Sequence, residues 1–124
     1  MRNIVRTILV GMNPSRVANK VHKNGTWNRL CSWIDYLGTG VVSFTNLSDD
    51  PEWDFKEVDY DLLLMQILDY DRVIALGGHV SKTLNTLGIE HFTLPHPSPR
   101  NRMMNDQNKV NEILKDCKEW LQAY

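Results

Sequence analysis

Ile4 to Val10 is a nearly unbroken apolar run rich in β-branched residues and closed by Gly11, the pattern of a strand buried on both faces. From Thr26 to Leu37 the period changes. Trp27, Leu30, Cys31, Ile34 and Leu37 fall at helical intervals, with Thr26 placed to cap the start and Gly38 to end the helix. Val41 to Phe44 is β-prone again and runs into the polar pair Thr45-Asn46, where a strand would emerge from its sheet. Val58 to Leu68 reads as a second helix, and Arg72 to Leu76 as a third short strand broken by Gly77-Gly78. Val80 to Leu87 continues as a helix that Gly88 terminates, and Ile89 to Leu94 is the fourth strand. Pro95, Pro97 and Pro99 remove donors and hold the residues between them extended, so Pro95 to Pro99 is a stiff loop. Capped by Asn105, a last amphipathic helix carries Val110, Ile113, Leu114, Cys117 and Leu121 on one face.

Strands alternating with helices call for parallel pairing with right-handed crossovers. The expected architecture is a three-layer α/β/α sandwich around a four-stranded parallel sheet, one domain over residues 1–124. In such sheets ligands bind beyond the carboxyl ends of the strands. Here those ends carry Gly11-Met12-Asn13-Pro14-Ser15, Thr45-Asn46, Gly77-Gly78-His79 and His96-Pro97-Ser98, so polar groups are expected to converge on one rim.

Composition narrows the picture. Hydrophobic residues make up 42% and charged residues 23% of the chain, an ordinary globular balance with no fibrous repeat. No apolar run approaches the roughly 20 residues that span a bilayer. The Met1-Arg2-Asn3 start has no long apolar core with a cleavage site, and a cytoplasmic or nucleoid-associated setting is expected. Cys31 and Cys117 lack CxxC partners and sit at helical intervals, which predicts reduced core thiols and no metal site. The net charge of -1 gives no global attraction for nucleic acid, so any DNA contact must be local. Basic residues cluster at Arg16 to Arg29 and Arg100 to Arg102, whereas Asp49 to Asp61 carries seven carboxylates against Lys56. That acidic stretch would repel phosphates if it faced a DNA groove.

Gly11 to Ser15 (GMNPS) resembles the first motif of the single-strand-selective monofunctional and the mismatch-specific uracil-DNA glycosylases. His96 to Asn101 (HPSPRN) resembles the second motif of the single-strand-selective group, and Asn46 ends the second strand as the base-reading Asn of the family does. The resemblance covers most of the chain. It implies a glycosylase that hydrolyses the bond between a pyrimidine and its deoxyribose, acting on single-stranded DNA or on a nucleotide flipped from a duplex, as a monomer and without a cofactor. Asn13 would orient the water, and His96 would donate a hydrogen bond to the charge developing on the uracil carbonyl. Gly11 and Met12 would line the base site, with Trp27 as the candidate aromatic floor. Ser15, Ser98, Arg100, Asn101, Arg102 and the backbone at Gly78 would hold DNA, the proline loop presenting a preorganised wedge and phosphate clamp. The most efficient uracil-DNA glycosylases carry Asp where this chain has Asn13, which places it with the slower or mismatch-directed groups.

Asn46 also has a rationale independent of the resemblance. The pairing edge of uracil shows an acceptor beside a donor, and a carboxamide held in one orientation offers the complement. Cytosine reverses that order and would leave buried polar groups unpaired.

Plainer readings stand beside these. Asn13-Pro14 fits a helix start, Asn46 and His96 fit turn residues, Trp27 fits the core, and Arg100 and Arg102 fit surface ion pairs. Gly77-Gly78-His79 with Ser81-Lys82 lacks the order of a phosphate-binding loop, so Gly78 is read as a tight strand-to-helix turn and His79 as a surface residue. The alternative to a glycosylase is a catalytically weak or silent member of the fold that binds DNA, a nucleotide or a protein partner.

Overall fold

The computed structural model describes residues 6–11, 25–38, 41–47, 60–97 and 101–123, with the side chains of residues 25–27 and 41 excepted. These residues form strand β1 (Arg6–Gly11), helix α1 (Gly25–Leu37), strand β2 (Val41–Asn46), helix α2 (Tyr60–Ile67), strand β3 (Arg72–Leu76), helix α3 (Gly78–Thr86), strand β4 (Phe92–Leu94), a 3₁₀ turn (Arg102–Asn105) and helix α4 (Gln107–Gln122). The sheet has the order β2-β1-β3-β4 and every pair is parallel.

Both faces of the central strands are apolar because successive side chains leave a strand on opposite sides. Leu9, Ile74, Leu76 and Leu94 face one way and pack with Leu30, Trp33 and Leu37 of α1 and Val110, Leu114 and Cys117 of α4. Ile8, Val10, Val73 and Ala75 face the other way, against Leu63 and Ile67 of α2 and Val80 and Leu84 of α3. The result is a three-layer α/β/α sandwich. At the amino ends of the strands, Asp71 ties β3 to β1 twice, accepting from the Arg6 amide through its carboxylate and donating its own amide to the Arg6 carbonyl. The Arg72 guanidinium lies 4.5 Å from the centre of the Trp120 ring and braces the same end.

Several boundaries differ from the sequence expectation, each for a local reason. β4 begins at Phe92, not Ile89, because the Ile89 amide donates to the Leu84 carbonyl and closes α3. With the Gly88 amide donating to the Asn85 carbonyl at a φ of 72°, this is a Schellman motif, and its hydrophobic clasp is Ile89 in the same cluster as Leu84. At the other end of α3 the strand-to-helix turn is Gly77, at a φ of 98°, while Gly78 is already the first helical residue. The cap of α4 is Asp106, whose carboxylate accepts from the Lys109 amide at 3.1 Å; Asn105 belongs to the preceding 3₁₀ turn. β2 runs on through Thr45 and Asn46. Cys117 is fully buried, but Cys31 is only half-buried, so one of the two expected core thiols reaches the surface. The described part of α2 starts at Tyr60, and Ile4, Val5, Val58, Asp59 and the acidic stretch from Asp49 to Asp59 lie outside the described residues.

Gly88 isolates the backbone contribution to the α3 stop, since a methyl group there would meet no heavy atom within 4 Å. Gly88→Ala is expected to cost about 1–2 kcal/mol through its left-handed φ alone. Urea unfolding should show an unchanged slope and a lower midpoint, and Gly88→Asn should recover part of the loss.

Candidate functional site

The chain crosses from β1 to β2 on one side and continues with β3 on the other, which makes the carboxyl ends of β1 and β3 the switch point of the sheet. Each of these two ends is a glycine overhung by a polar side chain from the adjacent edge strand.

On the first side, Gly11 pairs with Asn46 across β1 and β2, and the Leu47 amide donates to the Gly11 carbonyl at 2.9 Å. A methyl group on Gly11 would come within 2.7 Å of the Asn46 Oδ1. The Asn46 carboxamide therefore lies directly on bare backbone, and only glycine leaves that place open.

On the second side, a methyl group on Gly77 would lie 3.5 Å from Cβ and 3.8 Å from Cδ2 of His96. The Gly77 amide donates to the Leu94 carbonyl at 2.8 Å, which continues the β3–β4 pairing up to the loop. Asn101 then fixes that loop: its Nδ2 donates to the His96 carbonyl at 2.9 Å while its Oδ1 accepts from the Met103 amide at 3.2 Å. One residue on, the Arg29 guanidinium of α1 donates to the carbonyl of buried Pro97 at 3.3 Å. His96 is thus held by its own carbonyl and by the next, between two prolines that restrict the chain further.

His96 borders a cleft of about 300 Å³ whose walls include Gly77, Gly78, Leu94, Pro95, Met103 and Ile113, with Thr93 and Asn101 contributing polar groups. The volume lies at the small end of the roughly 300–1,000 Å³ typical of ligand pockets. It suits one ring better than a dinucleotide. Among the described residues Asn46 and Gly11 do not line this cleft; they stand beyond it on the β1–β2 half of the rim. β1 and β3, which carry the two overhung glycines, are neighbours about 4.8 Å apart.

The remaining sequence candidates divide as follows. Arg102 is exposed on the 3₁₀ turn beside the cleft and Gly78 lines it. Asn101 holds the loop through both halves of its carboxamide and so positions His96. Met12, Asn13, Ser15, Ser98 and Arg100 lie outside the described residues, as does the side chain of Trp27 in α1. The ties from Arg29 and Asn101 were not anticipated. Nothing in the spacing of Arg29 and Pro97, 68 residues apart, signals that they meet.

Two consequences can be measured. Gly11→Ala should drive the Asn46 carboxamide out of place; because the obstructing atom is the end of a side chain, the stability cost should stay within about 1 kcal/mol. The Asn46 side-chain amide resonances should shift while the remaining nitrogen–proton spectrum keeps its dispersion. For His96, burial lowers the pKa from the ordinary 6.5. The unfolded chain binds that proton more readily, so this contribution to stability is fully present above pH 6.5 and is lost as the pH falls through the folded value. NMR titration of the His96 ring should give a midpoint below 6.5, and His96→Gln should flatten the acid limb of a urea-unfolding series.

Comparison with family models, curated proteins and solved structures returned no match to this chain.

Proposed function

We propose that this chain is a monofunctional DNA glycosylase that hydrolyses the N-glycosidic bond of uracil or a related pyrimidine. The observation that carries the reading is His96: a half-buried imidazole kept neutral by burial, pinned through its backbone, and set on a small cleft at the carboxyl rim of the sheet. A neutral imidazole has one ring N–H to give. Presented from a held loop beside a partly dry cleft, such a donor would need little reorganisation when charge appears on a departing base carbonyl. The motif resemblance at Gly11 to Ser15 and His96 to Asn101 supports the same assignment, with Asn13 orienting water toward the sugar carbon.

Asn46 supplies the reading of the base in this scheme. Its carboxamide rests on Gly11, which limits the positions it can take. Bound uracil would receive a donor and an acceptor from it, and cytosine would leave both mismatched. Bringing the base to the rim costs roughly a few kcal/mol from a duplex and less from single-stranded DNA, so the single-stranded substrate is the better one. Arg102, exposed on the turn beside the cleft, would be a phosphate contact.

The position of Asn46 outside the His96 cleft favours a second reading, a member of the fold that binds DNA, a nucleotide or a protein partner without catalysis.

Incubation with uracil-containing single-stranded and duplex oligonucleotides, followed by alkaline cleavage of abasic sites, separates the two. Product is expected on the single strand first. His96→Ala should slow it by about 100-fold to 1,000-fold, the effect of removing one donor to a developing anion, and Asn13→Ala should do the same through the lost water contact. Binding in a low-salt shift assay with no abasic product would select the second reading.

A further inference from the structure

A second chemical grouping lies on the opposite side of β4 from the core that α4 covers, and it uses none of Asn13, Asn46 or His96. Ser81, in the first turns of α3, has its Oγ 2.8 Å from the Nε2 of His91. The Nδ1 of His91 lies 2.7 Å from the carbonyl oxygen of Ile89, and the Oγ1 of Thr93 lies 2.8 Å from the Ser81 Oγ.

The carbonyl settles every proton in this chain. A carbonyl oxygen can only accept, so His91 must carry its hydrogen on Nδ1. In the neutral ring Nε2 is then a bare acceptor, and Ser81 must donate its hydroxyl proton to it. The Thr93 hydroxyl donates in turn to the Ser81 Oγ. A serine whose proton points at a bare imidazole nitrogen, with a third group fixing the tautomer, is the nucleophile, base and orienter arrangement of covalent catalysis.

The orienting group is rigid for a reason already described. Ile89 closes the Schellman motif with its amide, so its carbonyl is fixed to the end of α3, while Ser81 belongs to the start of the same helix. Helical Cβ atoms lean toward the amino terminus, which tilts the Ser81 hydroxyl toward the first turn. That turn follows Gly77, which has no side chain to cap it. Both Gly78, which opens the turn, and Thr93, which donates to Ser81, border the 300 Å³ cleft. Ser81 and His91 are not among the residues that line that cleft, so an ester would reach the half-buried hydroxyl from the α3 side of β4, near the positive end of the helix.

We propose that Ser81 is an acyl-accepting nucleophile activated by His91, acting on short-chain activated esters. Ser81 Oγ bonds to the ester carbonyl carbon as its proton passes to His91 Nε2. The tetrahedral oxyanion collapses, the bond to the leaving oxygen breaks, and that oxygen takes the proton from Nε2 and departs as the alcohol. Water then attacks the acyl carbon, gives one proton to Nε2, and the carboxylic acid leaves as Ser81 recovers its hydrogen. The sum is ester plus water to acid plus alcohol. The inference holds whether or not the chain acts on DNA.

A fluorophosphonate probe tests it on the full chain: Ser81 Oγ would bond to phosphorus, fluoride would leave, and the released proton would pass through His91. Peptide mass mapping should find the adduct on Ser81. Ser81→Ala should abolish the adduct, and His91→Gln should slow it by at least about 100-fold, the contribution of a general base. p-Nitrophenyl acetate should give a nitrophenolate burst that Ser81→Ala removes. No adduct on Ser81 in the folded wild-type chain, or a labelling rate indifferent to His91→Gln, would overturn the proposal and leave the three side chains as a tie between α3 and β4.

Discussion

Covering the two central strands on both faces is the constraint from which the remaining structure follows. Ile8 to Val10 and Val73 to Ala75 are removed from water on either side, and that is possible only if helices lie on both surfaces of the sheet. Parallel pairing then follows, because each strand must be re-entered from the same end after a helical crossover. Every strand consequently ends on one rim. The amino ends collect bracing contacts such as Asp71 with Arg6 and Arg72 with Trp120, while the carboxyl ends collect Gly11, Asn46, Gly77 and His96. Separation of stabilising and chemical ends is thus a result of burial, not of any one residue at the rim.

At that rim the side chains with chemistry come from the edges and the space for them comes from the centre. Asn46 and His96 extend from edge strands, and the glycines they overlie end central ones. A methyl group on Gly11 would collide with Asn46, whereas one on Gly77 would only touch His96, and glycine is favoured there by its φ of 98°. The two halves are held differently: Asn46 is confined by contact with backbone, whereas His96 is confined by hydrogen bonds to its own carbonyl and the next. Steric confinement restricts a group's position, and backbone ties preserve the loop that presents it.

What the chain revealed in its order of residues was the part governed by periodicity. Arg72 to Leu76 emerged with its limits intact because a short apolar run with β-branched Val73 and Ile74, bounded by Asp71 and Gly77, is too brief for a helix. Gly88 marked the end of α3 correctly, since a left-handed stop is a local event. The expectation for β4 overran by three residues because Ile89 is as suitable for a strand as for clasping a helix end, and the hydrogen bond from its amide to the Leu84 carbonyl assigns it to the helix stop. Asn101 was legible as a polar loop residue but not as the anchor of His96, and the line from Thr93 through Ser81 and His91 to Ile89 carried no signal at all. Hydroxyls and imidazoles acquire a direction only when a folded carbonyl tells them which proton to hold.

Cys117 shows the sandwich from another side. Its sulfur is sealed between α4 and the sheet, and burial pushes the thiol pKa up to about 12, so at neutral pH it offers no thiolate for alkylation or oxidation. Cys31 reaches the surface. The molecule therefore carries an internal clock: one sulfur can be blocked while the layers are closed, and with a reagent faster than reclosing the other is modified at the rate at which the last helix parts from the strands beneath it.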